Sequence, residues 1–197
     1  MESNGNQLFP VFLRLDKLQL LVVGAGNVGF EKLSFMFRHC TNPNITLVAP
    51  QIDERILKLN SEFPDQIHIV KKDFEPSDTQ GMDLIIAGTS NMALNRSIWE
   101  QAKQQGILIN VADTPALCDF YLSSVVKKGD LKIAISSNGK SPTLTKRLRE
   151  LLTDVLPEEI DELIQNLAEI RSQLKGDFDY KVKALNNITE TFKNKKP

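Results

Sequence analysis

Leu18-Gln19-Leu20-Leu21-Val22-Val23-Gly24-Ala25-Gly26-Asn27-Val28-Gly29 is the stretch whose reading decides the fold. Its first half is an apolar run rich in residues that suit a buried strand, and its second half fits G-x-G-x-x-G. Phe30, Leu33, Met36 and Phe37 then recur at helical spacing, giving the next segment one apolar face. Strand, glycine turn and helix therefore follow one another directly. In that context Gly24 permits a tight turn, Gly26 lets an anion approach the backbone, and Gly29 lets helix and strand pack closely. The N–H groups of the helix N-terminus point at the same place and suit a pyrophosphate. Asn27 and Val28 complete the loop.

Working outward, Ile45–Ala49, Ile67–Val70, Leu84–Ala87 and Ile107–Val111 read as further strands, with Asp53–Glu62 and Asn91–Gln104 as helices. The strands are nearly all apolar, as buried parallel strands are. Phe9–Leu15 alternates and reads as an added edge strand, the one place where Pro10 is tolerated. After Thr114-Pro115 the pattern changes. Phe120–Val126 and Leu131–Ser136 read as a hairpin joined at Lys127-Lys128-Gly129-Asp130. Ser141-Pro142 supplies an N-cap and a first-turn proline, so a helix is expected from Pro142 to about Leu156, where Pro157 ends it. Glu158–Leu174 and Tyr180–Phe192 carry helical periodicity. The expected class is α/β: a Rossmann-type parallel sheet (1–113), an antiparallel β region (114–150) and a small helical C-terminal subdomain (151–197).

Composition narrows the function. The 197 residues are 41% hydrophobic and 25% charged with a formal net charge of −1, ordinary values for a water-soluble globular chain. Such a balance gives no electrostatic footprint for nucleic acid. The exception is a short Lys-rich end at Lys193, Lys195 and Lys196, read as solvated. No run reaches the roughly 20 apolar residues that span a bilayer, and no secretory leader is recognisable. The expectation is a cytoplasmic protein that does not engage membranes. Cys40 and Cys118 lie far apart and the only histidines are His39 and His68, so neither a disulfide framework nor a resident metal site is expected.

In dinucleotide-binding domains, an acidic residue at the end of the second strand usually holds the adenosine ribose. Here that strand ends Val48-Ala49-Pro50-Gln51, and the first carboxylate is Asp53. Pro50 and Gln51 are placed against the adenosine half, with the Gln51 amide able to bond the ribose hydroxyls, while Asp53 fits a helix N-cap. No arginine sits at the strand end itself to take a 2′-phosphate, although Arg55 is near. NAD is favoured over NADP.

Three further stretches, Asn110-Val111-Ala112-Asp113, Cys118-Asp119-Phe120 and Ile133-Ala134-Ile135-Ser136-Ser137-Asn138-Gly139-Lys140-Ser141-Pro142, make the chain resemble the precorrin-2 dehydrogenase family. That family includes the N-terminal module of multifunctional siroheme synthases. The likeness runs from Phe9-Pro10-Val11-Phe12 to about Leu151. Where the family often has alanine at the third glycine position, this chain has Gly29. The resemblance implies a Rossmann domain, a dimerisation region with antiparallel strands and a helical tail. It also implies oxidation of the tetrapyrrole precorrin-2 to sirohydrochlorin with NAD⁺, and in some members insertion of Fe²⁺. The aspartate of the family's N-V-x-D motif, which serves both reactions, falls on Asp113. Thr89 and Ser90, within Gly88-Thr89-Ser90-Asn91, fall where the family contacts the nicotinamide half. Ser137, Asn138 and Lys140 fall in its substrate loop.

Simpler roles stand beside these: Asp113 as a turn residue before Thr-Pro, Ser90 or Asn91 as a helix cap, and the 137–141 loop as a cap with a solvated face. A different class of function is an NAD-binding, ligand-sensing regulatory module without turnover. It leaves the motifs at 110–113 and 136–142 unexplained. The β-rich run after Pro115 would expose apolar edges in a monomer, so a homodimer is expected.

Overall fold

The structure is a computed structural model that describes residues 5–190. They fall into two compact units, one spanning Leu8–Leu122 and the other joining residues 5–7 to 123–190. The expectations at Phe192 and at Lys193, Lys195 and Lys196 lie outside the described residues.

In the first unit, β1 (Gln19–Val23), β2 (Asn44–Val48), β3 (Ile67–Val70), β4 (Leu84–Ala87) and β5 (Leu108–Val111) form one parallel sheet in the order β3-β2-β1-β4-β5. Three helices cover it: α1 (Asn27–His39), α2 (Glu54–Glu62) and α3 (Met92–Gln105). A single 3-10 turn at Pro76–Thr79 lies on the crossover from β3 to β4. The strand period of two divides the core. Leu20, Val22, Leu84 and Ile86 join Leu33, Met36 and Ile56 on the side of α1 and α2. Leu21, Val23, Ile85 and Ala87 join Ile98 and Ala102 on the side of α3. Apolar side chains on both faces explain why these strands lack polar alternation.

Strand order reverses between β1 and β4, the switch point at which the loops after the strands part and leave a crevice. The register sets Val23 beside both Val48 and Ala87, and Ala87 beside Val111. The chain therefore leaves β2, β1, β4 and β5 at one level, about 4.8 Å apart from strand to strand.

Two strand expectations are corrected. Residues 9–15 form no strand. Pro10 has no N–H to give, Phe9, Val11, Phe12 and Leu13 are exposed, and the segment's tie to the sheet is the Leu15 carbonyl, which accepts from Asn44 N at 3.2 Å. The hairpin begins at Ser124 rather than Phe120, because Phe120 and Leu122 pack onto the core on the side of α1 and α2.

The second unit contains the antiparallel pair β6 (Ser124–Lys128) and β7 (Leu131–Ile135), turned at Gly129 with φ 53°. Helix α4 (Pro142–Val155) packs on both strands, and α5 (Ile160–Gln173) packs on α6 (Phe178–Thr189). Asp161 holds the turn by accepting from Asp130 N at 2.7 Å, and Lys128 Nζ donates to Leu156 O at 2.6 Å. Two strands alone are marginal in water, and these contacts with the helices stabilise them. Among the described residues no helix is long and apolar enough to cross a membrane.

Candidate dinucleotide site and active site

The glycine turn leaves β1 and enters α1, and its three glycines are held for different reasons. Gly24 has φ 102°, and a β-carbon there would lie 2.7 Å from Gly88 O, so the turn after β1 packs backbone to backbone against the turn after β4. A β-carbon at Gly29 would lie 2.2 Å from Gly24 O. At Gly26 a β-carbon would meet nothing within 4 Å. Gly26 is also the N-cap of α1, and no side chain among the described residues caps that helix end. An open cradle beside uncapped N–H groups fits a dinucleotide pyrophosphate, both by shape and by the positive end of the helix dipole.

The turn after β2 secures the far side of the loop. Asp53 N donates to Ala25 O at 3.0 Å, while the Asp53 carboxylate accepts from Arg55 N at 2.9 Å and caps α2. Arg55 grips that carboxylate through Nε and Nη2, donates to Asn27 Oδ1 at 3.1 Å, and lies 4.4 Å from the centre of the Phe30 ring. The guanidinium holds the Asp53 carboxyl well below the usual carboxylate range, at about 2. Asn27 Nδ2 donates to Glu31 within α1 at 2.8 Å, while Asn27 Oδ1, by accepting from Arg55, ties α1 to α2. Pro50 and Gln51 are exposed at the end of β2.

After β4, Asn91 rather than Ser90 caps α3, accepting from Leu94 N at 3.1 Å. Ser90 is exposed. The Thr89 hydroxyl is occupied within its own loop, bonded to Asn95 Oδ1 at 2.7 Å and accepting from Asn91 N at 3.2 Å. Asn95, 1% exposed, also donates to Thr89 O at 3.0 Å and accepts from Thr89 N at 3.3 Å. Sequence reasoning missed Asn95. A polar residue among the apolar positions of α3 was the signal, since a buried amide needs partners.

Asp113 follows β5 at the tip of a turn closed by Thr114 N donating to Val111 O at 3.3 Å. Its φ is 55°, a left-handed conformation that aspartate tolerates better than most residues. The carboxylate is exposed, and among the described residues no group hydrogen-bonds it. Beneath the turn the chain doubles back along the open edge of β5. There Cys118 Sγ accepts from Val111 N at 3.3 Å and lies 3.2 Å from Val111 O.

The structure thus brings Gly24, Gly26, Asn27, Val28, Gly29, Pro50, Gln51, Thr89, Ser90 and Asp113 to one end of one sheet. Ser137, Asn138 and Lys140 belong to the other unit, in a turn between β7 and α4. Asn138 and Gly139 have φ 54° and 73°, Ser137 Oγ accepts from Ser141 N at 3.0 Å, and Ser141 caps α4 at Leu144 N. Lys140 is exposed. Among the described residues no three His, Cys, Asp or Glu side chains gather as a metal site.

Comparison with known proteins bears on the fold and the family. The family described as putative NAD(P)-binding matches residues 11–124, and the one described as sirohaem biosynthesis protein central matches residues 128–154. The siroheme synthase of Pseudoalteromonas atlantica is 35% identical over 88% of this chain and 37% of its own length. That of Ruthia magnifica is 32% identical over 86% of this chain and 35% of its own. The chain thus spans little more than a third of these relatives. A solved structure of SirC, a precorrin-2 dehydrogenase, superposes with a TM-score of 0.72 at 26% identity, covering 92% of this chain and 89% of its own. The first of these matches takes in more than half of the chain, so the chain belongs to the putative NAD(P)-binding family, and its cofactor class is a nicotinamide dinucleotide.

Proposed function

We propose that this protein oxidises precorrin-2 to sirohydrochlorin, with NAD⁺ as the hydride acceptor and Asp113 as the base. The observation that carries this reading is the Asp113 carboxylate: exposed, without a partner among the described residues, and held on a left-handed turn at the sheet end where the α1 N-terminus lies uncapped. The balance is one hydride and one proton lost from the tetrapyrrole, giving NADH, H⁺ and sirohydrochlorin. A nicotinamide ring, when bound, supplies the electron sink. Asp113 takes the proton, because a base must lie within hydrogen-bond reach of the group it deprotonates and must not be committed elsewhere. Gly24, Gly26 and Gly29, with Asn27 and Val28, shape the pyrophosphate cradle. Thr89 and Ser90 border the nicotinamide half.

NAD rather than NADP is supported by Arg55. Its guanidinium is paired with Asp53 and lies against Phe30, so it is not a free cation for a 2′-phosphate. Pro50 and Gln51 are left for the adenosine ribose. For the substrate's carboxylates we assign Ser137, Asn138 and Lys140, on the resemblance. The same exposed Asp113 carboxylate would accept the two pyrrole protons in turn as Fe²⁺ enters sirohydrochlorin, passing the first to solvent before taking the second, so ferrochelation is the second reaction we assign to it, with iron as substrate. We also propose a cytoplasmic homodimer. Leu144, Leu148, Leu151 and Val155 form an exposed apolar stripe along α4, which a second copy would bury. A monomer in sedimentation at micromolar concentration would remove the dimer from the proposal.

The test is anaerobic turnover of precorrin-2 with NAD⁺, followed by absorbance, for wild type and Asp113→Asn with NAD⁺ binding measured in both. Expected is a loss of roughly 100-fold or more in kcat with NAD⁺ affinity retained. Wild type that binds NAD⁺ without forming product would overturn the dehydrogenase and bring forward the sensing module.

A further inference from the structure

β5 is the last strand of the sheet, so the N–H and C=O groups of Ile109 and Val111 point away from β4 with no strand to meet them. The returning segment meets them instead. Ile109 O accepts from Asp119 N at 2.8 Å, and Ile109 N donates to the Asp119 carboxylate at 3.0 Å. That carboxylate is also paired with Lys103 of α3. Asn110, 6% exposed, donates to Phe120 O at 2.8 Å. At Val111 both groups are met by a single atom: Cys118 Sγ accepts from Val111 N at 3.3 Å, and its proton can go to Val111 O at 3.2 Å or Thr114 O at 3.4 Å. Val111 and Thr114 are the two ends of the turn whose tip is Asp113.

We propose that Cys118 is a positioning residue for Asp113, its thiol standing in for the missing strand's peptide group and fixing both ends of the turn that carries the carboxylate. Only a group that both donates and accepts can do this, and sulfur reaches bond lengths of 3.2–3.4 Å that an oxygen would have to shorten. Burial pushes the Cys118 thiol up, which keeps the donor proton in place. The Cys118-Asp119-Phe120 motif thereby acquires a role as the latch beneath the base. The proposal rests on Asp113 being the base.

The test is steady-state turnover of precorrin-2 with NAD⁺ for wild type, Cys118→Ala, Cys118→Ser, Asp113→Asn and, as a packing control in the α3 core, Ile98→Val. An ångström of misplacement costs on the order of 100-fold in rate. Cys118→Ala is therefore expected to lose roughly 10- to 100-fold in kcat with KM for both substrates within about twofold. Cys118→Ser should recover most of that loss, since a hydroxyl also donates and accepts. Ile98→Val should keep wild-type kcat. If Cys118→Ala does not fold, Cys118→Ser carries the test: its oxygen must draw the turn inward, and kcat should fall severalfold with KM unchanged. Wild-type kcat in Cys118→Ala, or in Cys118→Ser where Cys118→Ala does not fold, would overturn the latch while Asp113→Asn remained inactive. Absence of turnover in wild type, or full activity in Asp113→Asn, would overturn the reading of Asp113 instead, and the latch with it.

Discussion

Replacing Gly26 by alanine separates what the fold needs from what a dinucleotide needs. The position has φ −88° and ψ −156°, which alanine adopts without strain, and its β-carbon would meet nothing within 4 Å. As an N-cap, alanine is worse than glycine by about 0.5–1 kcal/mol. Loss of glycine's freedom in the unfolded chain offsets about 0.4–1 kcal/mol. The net change is then within about 0.5 kcal/mol, and Tm should move by less than about 2 °C. The bound state is another matter. A phosphate oxygen must come to about 2.9 Å from a helix N–H, and a methyl group at the cradle holds it away. Losing one charge-assisted hydrogen bond costs about 1.5–3 kcal/mol, which weakens binding by roughly 10- to 150-fold. Calorimetric titration with NAD⁺ beside a thermal melt reads both numbers. Binding within twofold of wild type would refute the placement of the pyrophosphate at Gly26, and a Tm loss above about 5 °C would refute the open space.

The same substitution at Gly29 should behave in the opposite way. Its β-carbon would lie 2.2 Å from Gly24 O, backbone that cannot rotate aside, so about 3 kcal/mol or more of stability and roughly 6–12 °C in Tm are expected to be lost. A melt unchanged from wild type would show that the turn after β1 can relax. The Asp53 carboxyl should titrate near 2 by NMR. A depressed carboxyl contributes stability above its ordinary pKa near 4 and loses it as pH falls towards 2. In Arg55→Ala, Asp53 should return to the ordinary carboxylate range, and a midpoint still near 2 would show that the backbone N–H of residue 55 alone holds it.

The sheet was legible because burial on both faces leaves a coarse mark: Leu20 to Val23 and Leu84 to Ala87 are apolar without alternation, Asn110 is the one polar residue in Leu108 to Val111, and the glycines fall between these runs. Gly24, Gly26 and Gly29 were legible for a related reason, since their spacing is a backbone requirement. Tertiary choices were not legible. Phe9–Leu15 alternates like a strand, yet it lacks the bonds of one, because period two records what a segment can do and not whether an edge is free to receive it. Phe120 and Leu122 have strand propensity, but their side chains are taken by the core on the side of α1 and α2, and propensity yields to packing. Asn95 and Cys118 gave faint signals because their partners are largely backbone atoms, which every sequence contains.

Those two residues bear on how the site works. Three turns at this end of the sheet are held from below: the glycine turn by backbone contact at Gly88, the β4 turn by the buried Asn95 amide, and the β5 turn by the Cys118 thiol. In each case the holding group is spent inside the protein, and what remains above is uncapped helix N–H, bare backbone, or the Asp113 carboxylate. Turns tied in this way lose little freedom when a ligand arrives, so less of the binding energy goes into ordering the protein. On the proposed role of Asp113, a base already in place when the substrate docks also needs no reorganisation at the moment of proton transfer, and electrostatic catalysis depends on that condition. On that proposal the residues that hold the turns bear on rate although they touch no ligand, and a scan confined to exposed polar side chains would pass over them.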